Sequence, residues 1–122
     1  MRVLARTSTL HKLDEVNWYL HDVVFEKDAV DWDPETGIVR IPFEREAGQQ
    51  ETTYGLVVVE GVDNMTIDDP VDVGWYDINN LEYDETNSEV VINGNTPIGI
   101  RLRVRNGKSE ISVLENVAGV ER

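Results

Sequence analysis

Two charged constellations in this chain are dense enough to suggest chemistry. Asp68, Asp69, Asp72 and Asp77 surround Pro70 and Gly74, and hard cations such as calcium prefer oxygen ligands of this kind on flexible loops. Their spacing matches no specific site, so they define a cation-binding alternative and no more. Arg101, Arg103 and Arg105 alternate with Leu102 and Val104, which on a strand sets three guanidinium groups on one face. That face suits an acidic protein or a small anion. It equally suits acids on a neighbouring strand, with Glu82, Asp84 and Glu89 as the expected partners, and this internal use is preferred. Trp75-Tyr76 follows the acidic run and forms either core or a contact patch, core being the commoner fate of such side chains.

Other catalytic groupings fail on spacing. His21-Asp22 echoes the dyad of metal-dependent phosphohydrolases, yet those enzymes need more His and Asp ligands, and His11 is the chain's other histidine. Local capping by Asp22 and packing of His21 account for the pair more simply. Asp31-Trp-Asp-Pro-Glu-Thr-Gly37 places Thr36 and Pro42 where an EF-hand needs glycine and a bidentate glutamate, so it is a turn with solvated carboxylates. No serine has a nucleophile-elbow pattern around it. Gly94-Asn-Thr-Pro-Ile-Gly99 lacks the lysine and the following helix of a phosphate loop.

The elements that would carry these residues are read from periodicity. Ser8 or Thr9 caps a helix with Leu10, Leu13, Val16 or Asn17, and Leu20 on one face, ending near His21-Asp22. From Val24 to Trp32 the period is two, a half-buried strand. Asp33-Pro-Glu-Thr-Gly37 turns into a strand from Ile38 to Phe43, placed at an edge because Pro42 cannot donate to a ladder. Ala47 to Thr52 reads as a loop, and Tyr54 to Val62 as a central strand buried on both faces. Met65 to Ile67 is a short segment. Trp75 to Asp84 and Glu89 to Asn93 form a hairpin around Glu85-Thr-Asn-Ser88. Asn106-Gly107 predicts a second hairpin, pairing Arg105 with Lys108, Leu102 with Ile111 and Ile100 with Val113.

These elements predict a mainly β fold in the α+β class. It is an antiparallel meander of about seven strands, a sandwich or partly open barrel, with one short N-terminal helix. The 122 residues make one domain, residues 1–122, with poorly ordered ends at 1–7 and 117–122. Cysteine is absent, which removes disulfides, thiolate nucleophiles and zinc–thiolate sites. No apolar run is long enough to span a bilayer, and no signal-peptide core opens the chain, so a cytoplasmic location is expected. A net charge of −13 repels nucleic acid and anionic membranes.

Leu20-His-Asp-Val-Val-Phe25, Tyr76-Asp-Ile-Asn-Asn-Leu-Glu-Tyr83, Val90-Val-Ile and Thr96-Pro-Ile-Gly-Ile together resemble a loose grouping of small bacterial β-rich domains of unknown function, some of them immunity-protein-like. The resemblance spans about residues 20–105 and rests on structural motifs. It implies a single-domain accessory protein and carries over no active-site residue. The sequence thus leads to a non-catalytic protein-interaction module without a cofactor. Its expected partner is a second copy, giving a homo-oligomer, or a basic protein, because complementary charge speeds association. The alternative is a small-ligand or calcium-binding β-domain that uses the Asp68–Asp77 loop.

Overall fold

The computed structural model describes residues 2–46, 52–105 and 108–116. It is mainly β, with one α-helix, α1 (Asp14–Leu20), and ten strands among those residues. The strands are β1 (Arg2–Thr7), β2 (Val24–Glu26), β3 (Asp31–Asp33), β4 (Ile38–Glu46), β5 (Thr52–Glu60), β6 (Val62–Asp68), β7 (Trp75–Asp84), β8 (Glu89–Gly94), β9 (Gly99–Val104) and β10 (Glu110–Glu115). Every pairing is antiparallel. The order is β1-β10-β5-β4-β2-β7-β8-β9-β6, with β3 on β4, so the path is open and ends at β1 and β6.

The strand count exceeds the expected seven because one expected strand is split and an expected loose end forms another. The single strand expected over Val24 to Trp32 is split by a 3-10 turn at Lys27–Ala29. The Tyr54–Val62 run bends at Gly61 and continues as β6. Gly61 has φ +75°, and a Cβ there would lie 2.5 Å from the Lys108 carbonyl oxygen, so glycine is required at this bend. Residues 2–7, expected to be a loose end, form β1 against β10, with Arg6 opposite Ser112. Of the loop expected over 47–52, Thr52 instead begins β5, while 47–51 and the expected loose end at 117–122 fall outside the described residues.

The Asn106-Gly107 hairpin does not form as expected. The dipeptide itself is outside the described residues, and the Lys108 amide donates to the Arg105 carbonyl across it at 3.1 Å. The flanking strands, however, do not pair with each other. β9 pairs with β6 and β8, whereas β10 pairs with β1 and β5. Opposite the continuous β5–β6 run, Gly99 to Val104 face Asp68 to Val62, and Glu110 to Glu115 face Glu60 to Gly55. Ile100, Leu102, Val104, Ile111 and Val113 are all buried, as alternation demanded. Alternation is the same whether two strands fold back on each other or follow one another, so it does not distinguish the two topologies.

β4 is also interior, flanked by β5 on one side and by β2 and β3 on the other. Pro42 lies between its contacts with β3 (through Arg40) and β2 (at Glu44), where the chain leaves the sheet in the 3-10 turn. A residue with no amide to donate is well placed at that interruption. β5 is central as expected, but only one of its faces is fully buried; Leu56 and Val58 are half-buried. The β7–β8 hairpin forms as expected, with Asp84 opposite Glu89.

α1 is shorter than its apolar stripe. Thr9 to Lys12 form a separate turn, with the Lys12 amide on the Thr9 carbonyl at 2.9 Å, and Leu10 and Leu13 reach the core from outside the helix. Val16 and Leu20 anchor α1 at 1% and 0% exposure, each contributing about 1.5–3 kcal/mol through burial. No side chain caps its first turn, but Asp14 and Glu15 complement the exposed amides there. Asn17, on the same helix, bonds to β7 through its amide: Nδ2 donates to the Leu81 carbonyl at 3.0 Å and Oδ1 accepts the Leu81 amide at 2.7 Å. No strand of the described residues pairs with that side of β7 beyond Asp77, so α1 occupies an otherwise open sheet edge.

Candidate functional site: an apolar groove with an acidic rim

Alternation along β2, β4, β5 and β7 sends Phe25, Ile41, Val57 and Tyr76 into the core. Their neighbours Val24, Pro42, Leu56 and Trp75 therefore face outward. Register sets these side by side: Pro42 is opposite Leu56, Glu44 opposite Tyr54, Val24 opposite Glu44, and Glu26 opposite Trp75. The result is a groove of about 730 Å³ lined mainly by apolar surface from Val24, Pro42, Leu56 and Trp75. It exists because β2 is three residues long and the chain then lifts away from β4. Phe43 and Gly55 also line it; a Cβ on Gly55 would lie 2.2 Å from Phe43 Cζ, so the close approach needs glycine. The apolar row continues across the sheet, from Leu56 to Leu114 to Val3. Trp75 is 50% exposed and Val3 45%.

Glu26 and Glu44 are the charged residues that line the groove, both half-buried. Neither side chain has an ion pair or hydrogen bond among the described residues. Arg45, next along β4, is occupied elsewhere, with its guanidinium on the Tyr19 carbonyl and Glu115.

Beside the groove the acidic loop is tied down by Lys27. Lys27 Nζ lies 2.7 Å from Asp69 Oδ2 and 3.0 Å from Asp72 Oδ1, while its own amide donates to the Gly74 carbonyl at 2.8 Å. Asp69 Oδ1 accepts from the Tyr76 hydroxyl and from the Asp72 amide, and the Val73 amide donates to the Tyr76 oxygen at 3.1 Å. Hydrogen bonds from Lys27 and then Tyr76 hold the Asp69 carboxyl below the ordinary carboxylate range. Hydrogen bonds to Asp69 and Asp72 push Lys27 up. Burial first, then the bond to Asp69, pushes up the Tyr76 phenol. The clasp fixes a loop that leaves Val71 and Val73 exposed just before Trp75.

The residues singled out in the sequence thus part company. Of the four acids, Asp69 and Asp72 converge on Lys27. Asp77 accepts from Asn95 and from the Thr96 amide, which hold its carboxyl low, and Asp68 ends the outermost strand β6. No group of three or more His, Asp or Glu among the described residues is arranged to hold a metal ion. Arg101 and Arg103 do share the outward face of β9, and Arg105 just past its end is exposed as well. Arg101 pairs with Glu89 at 3.2 Å and Arg105 with Asp63 at 2.6 Å. Glu82 instead bonds Asn80 and Asn93, and Asp84 bonds Asn87. Trp75 and Tyr76 take opposite fates, one at the groove and one 2% exposed in the core. His21 and Asp22 pair at 2.9 Å, each side chain two-thirds exposed. Val24, Pro42, Leu56, Glu26, Glu44 and Lys27 are not marked as site residues by the sequence, where Pro42 stands out only for its missing amide. The signal available for the first three was their outward phase on strands whose inward residues were evident.

Comparison of the chain with protein-family models, with curated proteins and with solved structures found no match.

Proposed function

We propose that this protein is a non-catalytic protein-interaction module that docks a partner protein across the Trp75 groove, in the manner of an immunity-like protein masking a basic target. The observation that carries this is a half-exposed tryptophan set on an apolar groove in the outer face of a sheet. Burying a tryptophan removes a large apolar area from water at little side-chain entropy cost, which is why such residues dominate interface energetics. A monomer gains nothing from leaving it in water beside Val24, Pro42 and Leu56. The net charge of −13 favours a basic partner by speeding encounter. The arginine face is less suited to this role, because Arg101 and Arg105 are engaged by Glu89 and Asp63.

The test compares wild type with Trp75→Ala, Leu56→Glu and Arg103→Ala in affinity capture. All three positions point outward, so thermal unfolding serves as the control for folding. A partner retained by wild type and Arg103→Ala, and lost with both groove variants, is the expected result. A partner whose capture ignores Trp75 and Leu56 but is lost with Arg103→Ala moves the docking face to β9 and overturns the proposal.

A further inference from the structure

Resting on the groove as a docking site, we infer that its occupant is an arginine-bearing segment of a basic protein, with an apolar side chain next to the arginine. The register of three strands carries the inference. Glu44, Val24 and Asp77 lie in one cross-strand row, and Glu26 and Trp75 are paired in the next. Val24 is therefore flanked by carboxylates on both sides, and the exposed indole has a carboxylate directly across from it. Cross-strand neighbours of this kind are about 4.5–5.5 Å apart at Cβ, the spacing in which a guanidinium stacks on an indole while bonding a carboxylate.

The state of these carboxylates sharpens the point. Asp69, Asp72 and Asp77 are satisfied by Lys27, Asn95 and Thr96. Glu26 and Glu44 are half-buried against apolar surface and have no cation or donor among the described residues. A carboxylate held partly out of water without a partner is unfavourable until one arrives. The lining offers no basic residue of its own. A second copy of the chain brings a further net charge of −13 to the same place, which opposes self-docking. Arginine fits better than lysine because its planar fork stacks on an aromatic face and bonds a carboxylate at once. The neighbouring apolar side chain then fills the space over Val24, Pro42 and Leu56.

The test titrates the isotope-labelled full chain with the peptide acetyl-Arg-Leu-Arg-Phe-Arg-amide, followed by NMR. Acetyl-Lys-Leu-Lys-Phe-Lys-amide and acetyl-Glu-Leu-Glu-Phe-Glu-amide are the comparison probes. Saturable shifts clustered on Val24, Leu56 and the Trp75 indole are expected with the arginine peptide, weaker ones with the lysine peptide and none with the glutamate peptide. Glu26→Gln, which keeps shape and removes charge, should weaken binding roughly five-fold at low salt, the effect of one partly exposed charge pair. Equal groove shifts from arginine and glutamate peptides would overturn the arginine assignment while leaving the groove a docking site. Absence of groove shifts with any peptide overturns it too, and the capture experiment then decides the docking proposal separately. Light scattering closes the remaining route: a dimer abolished by Trp75→Ala shows that the occupant is a second copy and overturns the inference.

Discussion

Replacing Asn17 with alanine separates two opposite expectations for one residue. On helix propensity alone the change stabilises α1, because alanine exceeds asparagine by up to about 0.7 kcal/mol in a helix interior. The structure predicts the reverse sign. Asn17 makes two bonds to the backbone of Leu81, at 3.0 and 2.7 Å, on a stretch of β7 with no strand of the described residues on that side. Each bond is worth about 1 kcal/mol net, and more where the abandoned group stays shielded from water. Both together give about 2 kcal/mol, and subtracting the propensity gain leaves about 1.3 kcal/mol. For a domain of this length each kcal/mol moves the thermal midpoint by roughly 3–5 °C, so a fall of about 4–7 °C is expected. Calorimetry measures it directly. Hydrogen exchange adds a local readout: the Leu81 amide, bonded to Asn17 Oδ1, should be protected in wild type and lose that protection in Asn17→Ala. Asn17→Asp is informative as well, since a carboxylate still accepts the Leu81 amide but turns a second oxygen toward the Leu81 carbonyl. It should be destabilised at neutral pH and recover in acid, where the protonated carboxyl donates again. An unchanged or raised midpoint in Asn17→Ala would refute the edge-clamp assignment.

Three further outcomes are expected. Gly55→Ala places a methyl group 2.2 Å from Phe43 Cζ and 2.6 Å from the Leu114 carbonyl oxygen; it should cost about 1–3 kcal/mol, with only part recovered by Phe43→Leu, and a variant as stable as wild type in denaturant unfolding contradicts the packing described. The Lys27–Asp69 clasp makes stability depend on pH at both ends. Asp69 is depressed in the fold, so its contribution is present above its ordinary value of 3.8 and disappears as pH falls through the folded value; Lys27 is raised, so its contribution is present below 10.5 and disappears at still higher pH. Asp69→Asn should therefore flatten the acid limb of a stability–pH profile, and an identical limb in both proteins argues against the clasp. Millimolar calcium should leave the thermal midpoint of wild type unchanged, because Asp69 and Asp72 already share the Lys27 ammonium; a calcium-dependent rise abolished by Asp72→Asn would show that the loop prefers the metal.

Fold class was legible because inward residues repeat at period two wherever a strand exists, and the helical stripe from Leu10 to Leu20 stands out against that period. Pairing was not, and the reason is physical. Alternation specifies which face a residue occupies and says nothing of which strand lies alongside. Ile100 and Val113 are both in the core, but the first lies opposite Ile67 and Ile92 and the second opposite Val57 and Ala5. Asn106-Gly107 carries a strong local signal for reversal, and long-range pairing of β9 with β6 and of β10 with β5 overrides it. Pro42 misled in the same way. Its missing amide excludes it from an uninterrupted interior ladder, but an interior strand whose neighbour is interrupted accommodates it equally well.

The site was less legible than the fold because its residues carry no unusual chemistry. An acid-rich loop attracts notice by composition, yet what an acid does is decided by which cation the topology delivers to it. Lys27 is remote from Asp69 and Asp72 in sequence and sits over them because β2 pairs with β7. That single delivery converts the most conspicuous acids into structure. Glu26, adjacent to Lys27 in the chain, takes no part in the clasp and is left opposite Trp75 without a side-chain partner among the described residues. On the proposed reading, the charge available for recognition lies where the fold leaves a carboxylate unmatched among the described residues, and the count of acids along the sequence does not locate it.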